Sequence, residues 1–308
     1  METVASAFAP ATVANLGPGF DVLGAAVEGP GDEVTARRVE ASGVRISEIT
    51  GDGGRLSSDP HQNTAGIAAL ETLARTGMKV GIELQIRKGL PIGSGLGSSA
   101  ASAAAAAMAV NLLLGSPLRK SELIAPCLAA EAAVSGKHAD NLVPALLGGW
   151  ILVRSVEPLD LVRLPVPSGL FFSVVTPDFE LETRKARAAL PYAIDRKDHV
   201  FDAGQLAGLI AACFSDDVGL LGRSLVDRTV TPARLSLIPG AAEVIAAALS
   251  AGAVGSSISG AGPSIFALSI SRSVSQRVGE VMQAAFRGVG LDSTLRISAA
   301  DAPGARRS

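Results

Sequence analysis

The stretch that decides the fold is Pro91-Ile-Gly-Ser-Gly-Leu-Gly-Ser-Ser-Ala-Ala101, in which three glycines alternate directly before an alanine-rich segment. Residues 80–88, before it, alternate apolar and polar side chains and predict a half-buried strand. Residues 100–114, after it, predict a helix because alanine has the highest helix propensity. Glycine lets the backbone approach a ligand closely, and the unpaired N–H groups at a helix start favour an anion. The stretch therefore predicts a strand, a phosphate-binding loop and a helix.

This loop differs from two common nucleotide-binding patterns. The sequence contains no Gly-x4-Gly-Lys-Ser/Thr, and Gly95-Leu-Gly97-Ser-Ser-Ala100 lacks the third glycine of the dinucleotide fingerprint. A flexible turn with an ordinary serine cap is the alternative, and it is the commoner outcome for a lone Gly-x-Gly. The flanking strand and helix, together with glycine turns at residues 15–21 and 260–264, favour a phosphate site.

The composition is that of a globular protein with a substantial core. The chain has 308 residues, of which 48% are hydrophobic, and its net charge is −2. This length suits one large domain or two ordinary ones. The balanced charge argues against nucleic-acid binding, and no apolar run approaches the ~20 residues that a membrane span needs. Cys127 and Cys213 lie too far apart in sequence to indicate a disulfide framework or a thiolate zinc site.

The first residues lack the basic and apolar regions of a secretory signal. We therefore expect a cytoplasmic protein, or one of the plastid stroma if the chain is a processed form.

The order of predicted elements indicates an α+β fold in two domains, because helices and strands mix without a regular βαβ period. The predicted helices are residues 63–76, 100–114, 121–135, 183–190, 202–214, 216–226, 240–251 and 273–289. The predicted strands are residues 4–8, 32–39, 44–49, 80–88, 170–175, 254–258 and 265–270, with a turn at 9–11 and another strand after Gly148-Gly149. Prolines in residues 157–167 mark the expected crossing, which gives domains 1–157 and 158–308. Pro126 must either begin the helix 121–135 late or kink it.

Three motifs together resemble the GHMP kinase superfamily. The stretch 91–101 is similar to its central ATP-binding motif, and Ser257-Ile-Ser-Gly-Ala-Gly-Pro-Ser264 resembles its C-terminal glycine motif. Ala9-Pro-Ala-Thr-Val-Ala-Asn-Leu-Gly-Pro-Gly-Phe-Asp21 resembles the N-terminal motif of one branch, the homoserine kinases. Further similar stretches are residues 136–141 with Gly148-Gly149, residues 183–191, and residues 232–234 with 238–240. The resemblance covers almost the whole chain, in order, and implies the two-domain fold of that superfamily with ATP bound between the domains.

The resemblance implies that ATP and Mg²⁺ are the cofactors. The residues it assigns to ATP are Pro91, Ile92, Gly93, Ser94, Gly95, Leu96, Gly97, Ser98, Ser99, Ala100, Ala101, Thr183, Gly260 and Gly262, with Asn63 and Lys88 at the adenine. Asn63 has the alternative role of a helix N-cap. For Mg²⁺ it implies the Ser99 hydroxyl, with Ser98 as alternative, and the Glu131 carboxylate, which are hard oxygen ligands. The small apolar neighbours of Glu131 favour a buried position over an ordinary solvated helix face.

The same resemblance implies L-homoserine as the phosphoryl acceptor, on the route to threonine. Asn15 and Asp21 would bind its ammonium and hydroxyl end, and Arg187 and Arg234 would clamp its carboxylate, since a guanidinium offers bidentate geometry. His138 either contacts the substrate or is a structural histidine. Asn141 stands where mevalonate-type relatives have an aspartate base, and an amide cannot take a proton. We therefore expect Asn141, His138 and Arg187 to act by electrostatic positioning without a dedicated base.

Two other functions stay open at this point. One is another small-molecule kinase of the superfamily, of the mevalonate type, although the Gly-Glu-His element of sugar and mevalonate kinases is absent. The other is a nucleotide-binding regulator that keeps the fold without turnover. The resemblance also implies a homodimer.

Overall fold

A computed structural model describes residues 2–134 and 136–308, and it consists of two β-sheets covered by helices. The strands are β1 (Val4–Ala14), β2 (Leu23–Val39), β3 (Gly43–Thr50), β4 (Gly81–Arg87), β5 (Trp150–Val156), β6 (Leu159–Leu164), β7 (Phe171–Pro177), β8 (Gly255–Ile258), β9 (Ile265–Ser269), β10 (Ser293–Ala299) and β11 (Arg306–Arg307). The α-helices are α1 (Thr64–Thr76), α2 (Ser98–Leu113), α3 (Ile124–Val134), α4 (Leu142–Leu147), α5 (Thr183–Ala188), α6 (Arg196–Ser215), α7 (Val218–Ser224), α8 (Val230–Leu235), α9 (Ala241–Ser250) and α10 (Arg272–Gly288). The predicted α+β class is confirmed.

The two sheets differ in strand direction. The first has the order β11-β1-β2-β4-β3, and β5 pairs with both β2 and β6. Its β3 and β4 are parallel, whereas β1, β2, β5 and β6 pair antiparallel, so the sheet is mixed. The second sheet has the order β10-β7-β9-β8 and is antiparallel throughout.

Helix α2 forms the centre of the first half of the fold. It packs on β1 and β2 and lies beside α1 and α3, and its alanines at 103–107 are fully buried. Small side chains let a helix approach a sheet and two other helices closely without voids. The predicted helix is confirmed, but it begins two residues earlier, at Ser98, directly after Gly97.

Aromatic side chains join the cores of the two sheets. Trp150 of β5 stacks on Phe172 of β7 with ring centroids 5.9 Å apart, and Phe172 meets Phe266 of β9 edge to face at 5.8 Å. The indole N–H of Trp150 donates to the Ala300 carbonyl at 2.9 Å, so this buried ring has no unpaired polar atom. The two halves therefore share a continuous core.

Several boundaries differ from those predicted. The turn at 9–11 is wrong, because β1 continues to Ala14 with a register shift between Pro10 and Ala11. Such an irregularity accommodates a proline, which has no N–H for the ladder. Helix α6 begins at Arg196 instead of 202. Elements α4, α8, β10 and β11 were not predicted at all; α4, α8 and β11 have at most six residues each.

The helix that carries Glu131 begins at Ile124, three residues later than predicted, and Pro126 lies in its first turn. A 3-10 turn over Lys120–Leu123 leads into α3, and Pro126 is the third residue of that helix. Backbone N–H groups in the first turn have no partner within the helix, so proline is tolerated there. The predicted helix end at Ser135 lies outside the described residues.

The chain leaves the first sheet later than we predicted. Residues 157–158 form the turn between β5 and β6, which pair antiparallel with Trp150 opposite Leu164. The change of sheet therefore falls between Leu164 and Phe171, and β11 returns to pair with β1. Across the described residues, no helix is both long and apolar enough to cross a membrane.

Candidate active site

A cleft of about 830 Å³ opens where the three glycine-containing loops meet. The Gly260 N–H donates to the Ala14 carbonyl at 3.1 Å and the Ser264 N–H to the Ser94 carbonyl at 3.1 Å. The Ser259 hydroxyl donates to the Gly95 carbonyl at 2.7 Å. Loops that are about 80 and 165 residues apart in sequence are thus fastened together by hydrogen bonds, and they form one wall of the cleft.

The central loop has a backbone that requires glycine. Gly93, Gly95 and Gly97 have φ values of +67°, +77° and +66°, in the left-handed region. Gly97 is the N-cap of α2, and Ser98 and Ser99 form its first turn and face the cleft. Free N–H groups and the positive end of the helix dipole therefore point at the space where a phosphate would lie.

A buried ion pair supports this loop from below. The Lys88 ammonium contacts the Asp32 carboxylate and donates to the Ser98 carbonyl at 3.0 Å and the Ser102 hydroxyl at 2.7 Å. Asp32 also accepts from the Ser102 hydroxyl at 2.6 Å and from the N–H groups of the two residues after Lys88. Burial lowers the pKa of Lys88, and the adjacent Asp32 opposes that shift. The network ties the end of β4 to β2 and to the start of α2.

We expected Lys88 and Asn63 at the adenine. In the structure, the polar groups of both residues have hydrogen-bond partners within the chain. All three ammonium donors of Lys88 are used by the network just described. Asn63 caps α1 by accepting from the Ala65 N–H at 3.0 Å, and its amide donates to the Ser57 carbonyl at 2.9 Å. Both residues line the cleft, but their polar groups serve the fold; contact with adenine stays a prediction for both.

Ser99 and Glu131 both line the cleft. Glu131 lies on α3 and is only 5% exposed. A hydroxyl and a carboxylate are ligands that suit Mg²⁺, which usually keeps several waters and binds phosphates as well. Within the described ranges no group of three or more His, Cys, Asp or Glu side chains could hold a metal by itself. The donor set therefore fits a cation that arrives with a polyphosphate.

The other end of the cleft contains an ion pair around Asp21. The Arg187 guanidinium donates to both carboxylate oxygens of Asp21 at 3.0 Å, and His138 Nδ1 lies 3.4 Å from the same carboxylate. Asn15 accepts from the Asp21 N–H at 3.3 Å and donates to the Gly260 carbonyl at 3.1 Å. Asn15 and Asp21 have φ values of +71° and +59°, which side-chain-bearing residues rarely adopt. Their strained loop is therefore held by these side-chain bonds.

A second guanidinium lies beside the first. Arg234 is 2% exposed and donates to the carbonyls of Gly260 at 2.8 Å and Ala186 at 3.3 Å. The ring of Phe20 lies beneath both cations, 5.1 Å from Arg234 and 5.3 Å from Arg187. Burial lowers the pKa of Arg234, whereas the bond to Asp21 raises that of Arg187. This end of the cleft thus presents one carboxylate and two guanidinium groups.

Comparison with known proteins agrees with this geometry. The family profile "GHMP kinases N terminal domain" matches residues 63–149, and "GHMP kinases C terminal" matches residues 209–288. The chain is 52% identical to a homoserine kinase of Arabidopsis thaliana over 307 residues, which cover 97% of this chain and 83% of that protein. It belongs to the homoserine kinase family of the GHMP kinases. A homoserine kinase of Chlorobium phaeovibrioides is 46% identical over 91% of both chains.

A solved structure of the family has the same fold. The crystal structure of homoserine kinase from Cytophaga hutchinsonii superimposes with a TM-score of 0.98 at 46% identity, over 100% of this chain and 98% of that one. The predicted family and fold are therefore confirmed.

Most residues that the family motifs predict line the cleft, and some do not. All six predicted substrate residues line it: Asn15, Asp21, His138, Asn141, Arg187 and Arg234. Among the predicted ATP residues, Ile92, Gly93, Ser94, Gly95, Gly97, Ser98, Ser99, Thr183 and Gly260 line it too. Pro91, Leu96, Ala100, Ala101 and Gly262 do not line it, and their contact with ATP stays a prediction. Leu96, Ala100 and Ala101 are buried in the core, because a helix that starts at a loop turns one face inward.

Two residues near Asn141 were not predicted. Thr12 of β1 is fully buried, and its hydroxyl donates to the Asn141 side-chain oxygen at 2.8 Å. Asp140, which precedes Asn141, lines the cleft at 4% exposure. Burial raises the pKa of Asp140 to about 7, with a smaller contribution from repulsion by Asp21. Thr12 lies inside the N-terminal family motif, but nothing in that motif singles it out.

Proposed function

We infer that the protein is an ATP-dependent kinase that transfers the γ-phosphate to the side-chain hydroxyl of L-homoserine, which yields O-phospho-L-homoserine for threonine synthesis. The observation that carries this inference is the charge arrangement of the acceptor end, where Asp21 pairs with Arg187 and Arg234 lies beside Arg187 over the same Phe20 ring.

An amino acid complements this arrangement with both of its charges. Its ammonium can replace Arg187 as the partner of Asp21, and its carboxylate can accept from the two guanidinium groups that share the Phe20 ring. Mevalonate carries a carboxylate without an ammonium, and galactose carries neither. Either would leave a charged group of the site without a partner, which is costly in a partly buried cleft.

The phosphates of ATP would lie beside the acceptor end, over the N–H groups of residues 93–99 and the start of α2, where Gly97 lies against Asn141. Ser99 and Glu131 would hold Mg²⁺ there. The ion supplies charge neutralisation on the transferring phosphoryl group. The chain's own contribution is to align that group with the acceptor hydroxyl, which is the larger part of what phosphoryl transfer requires.

No side chain of the acceptor end is needed as a dedicated base in this proposal. The amide of Asn141 cannot accept a proton. Burial lowers the pKa of His138, which makes its ring a weaker proton acceptor, and Asp21 only partly opposes this shift. Asn141, His138 and Arg187 therefore act by positioning and charge stabilisation, while the hydroxyl proton passes to phosphate or water.

The proposal is tested by ATP consumption with L-homoserine, mevalonate, galactose or no acceptor, each with Mg²⁺ and with a chelator. We expect turnover with L-homoserine at least about 100-fold above the others, because a site built for charged partners rejects analogues that lack them. We also expect the chelator to abolish it. Faster turnover with another acceptor would contradict the substrate, and undiminished turnover without Mg²⁺ would contradict the metal site.

We further propose that the chain divides into two units near the change of sheet after Leu164, that two copies form a homodimer, and that the protein acts in the cytoplasm or a plastid stroma. The family matches, at residues 63–149 and 209–288, lie on either side of that point and support the division.

A further inference from the structure

Thr12 joins the phosphate loop to the acceptor end of the cleft. It lies on β1, is fully buried, and its N–H donates to the Leu96 carbonyl in the phosphate loop at 3.0 Å. Its hydroxyl donates to Asn141 Oδ1 at 2.8 Å. One residue thus bonds both to the loop that would hold the phosphates and to a side chain that would meet the acceptor.

The hydroxyl bond determines which atoms Asn141 presents. A side-chain amide has an acceptor oxygen and a donor NH₂ group. Since the Thr12 hydroxyl donates to the oxygen, the NH₂ group of Asn141 is the part left for the cleft that the residue lines. In this orientation Asn141 can donate hydrogen bonds to a ligand but cannot accept one through its Oδ1 without competing with Thr12.

The pair also lies directly against the phosphate loop. A Cβ placed on Gly97 would overlap the Thr12 hydroxyl and would come within 2.9 Å of Asn141 Oδ1. Gly97 is the N-cap of α2, where the N–H groups are free. The Asn141 side chain therefore lies beside the loop over which the phosphates would bind.

We propose that Thr12 is a positioning residue, which holds the Asn141 amide so that its N–H donors stabilise negative charge on the oxygens shared by the phosphoryl group and the acceptor. This rests on the proposed function. Donors that are already aimed at the charge developing in a transition state lower the barrier without a cost of reorganisation. Loss of the Thr12 hydroxyl would leave the amide free to rotate and to present its oxygen to that charge.

The test compares Thr12→Val, which keeps the shape without the hydroxyl, with Thr12→Ser, which keeps the hydroxyl. We expect Thr12→Val to lower kcat by about 10- to 100-fold with the KM for ATP within about 3-fold, the size of effect that misplacement of a reacting group produces. Thr12→Ser, which keeps the hydroxyl, should have a kcat within about 3-fold of the wild-type value. The matched control is Thr72→Val in α1, which removes an equally buried hydroxyl that donates to the Ala68 carbonyl at 2.7 Å, away from the cleft.

A double-mutant cycle separates positioning from general damage to the fold. If Thr12 acts through Asn141, Thr12→Val should lower kcat no further in an Asn141→Ala background. Equal losses in both backgrounds, no recovery with serine, or the same loss with Thr72→Val would each overturn the proposal. Failure of the wild type to phosphorylate L-homoserine would instead contradict the proposed function. The same cycle, run with whichever acceptor the panel identifies, would then still decide the role of Thr12.

Discussion

The two ends of the cleft are built on different principles. The phosphate end comes from a single stretch, residues 91–99, and presents backbone N–H groups and small side chains. The acceptor end takes side chains from separate segments, among them Asp21, His138, Arg187 and Arg234. The first is held by a buried network whose polar groups bond to one another, and the second is held by ion pairs among the very groups that would bind the ligand.

The two ends would therefore bind their ligands in different ways. The phosphate end has free N–H donors in a rigid backbone, so it needs no rearrangement. At the acceptor end, Asp21 and Arg187 already satisfy each other through two 3.0 Å bonds. A zwitterion would exchange that pair for two new ones, so the site selects for a ligand with both charges. Substitutions should therefore affect stability at the first end and acceptor affinity at the second.

The largest expected effect is on folding, from Lys88→Met. It removes the cation of a buried pair and leaves the Asp32 carboxylate with hydroxyl and N–H partners alone. Breaking a buried pair by removing one partner costs about 3–5 kcal/mol. We expect a loss of this size in the free energy of unfolding, measured by urea denaturation.

The control is Arg45→Met, at an exposed ion pair with Glu83 in which the arginine side chain is 60% exposed. It should cost less than about 1 kcal/mol. If Lys88→Met is too unstable to study, Lys88→Met with Asp32→Asn should recover part of the loss by removing the buried charge. Equal losses for Lys88→Met and Arg45→Met would show that the network does not brace the loop.

The second effect is on acceptor binding, from Asp21→Asn. This change keeps the shape but removes the negative charge opposite Arg187. We expect the KM for L-homoserine to rise about 100-fold, since losing one partner of a hydrogen-bonded, partly buried charge pair costs about 2–3 kcal/mol. The KM for ATP should stay within about 3-fold, and Asp195→Asn, at an exposed pair with Lys197, should change neither. A larger rise in the KM for ATP would mean that the loop 15–21 belongs to the nucleotide.

The same contrast explains what could be predicted from the sequence. The phosphate end follows from local rules, because glycines with positive φ, a helix start and a cap such as Asn63 depend on neighbours a few positions away. The tolerance of the helix for Pro126 also follows a local rule, because this proline lies in the first turn of α3. These features are visible in one stretch of sequence.

Contacts between distant residues could not be predicted in this way. Lys88 contacts Asp32, which lies 56 positions away in the sequence, and Thr12 donates to Asn141, which lies 129 positions away. No periodicity links such pairs. A role for Lys88 could therefore be predicted only from the family resemblance, and nothing in the sequence singles out Thr12. The acceptor residues were identified through family motifs, and their mutual pairing depends on how loops and short helices from distant parts of the chain come together.

The smallest expected effect is that of Asp140→Asn, which tests whether the acceptor end hides a base. Burial raises the pKa of Asp140 to about 7, and repulsion from Asp21 and, to a lesser extent, from Glu131 adds to this shift. The cations of Arg187 and Arg234 lie near Asp140. The folded protein therefore holds this proton more tightly than the unfolded chain does between pH 3.8 and about 7. The wild type should lose stability from this group as the pH rises through that range, and the asparagine variant should not. The Tm of Asp140→Asn relative to that of the wild type should thus increase from pH 5 to pH 8.

The kcat of Asp140→Asn with L-homoserine should stay within about 10-fold of the wild-type value, since general base catalysis is worth 10²–10⁴-fold where it operates. A larger loss of kcat in a variant with this stability profile would assign the proton transfer to Asp140 and overturn a mechanism by positioning alone.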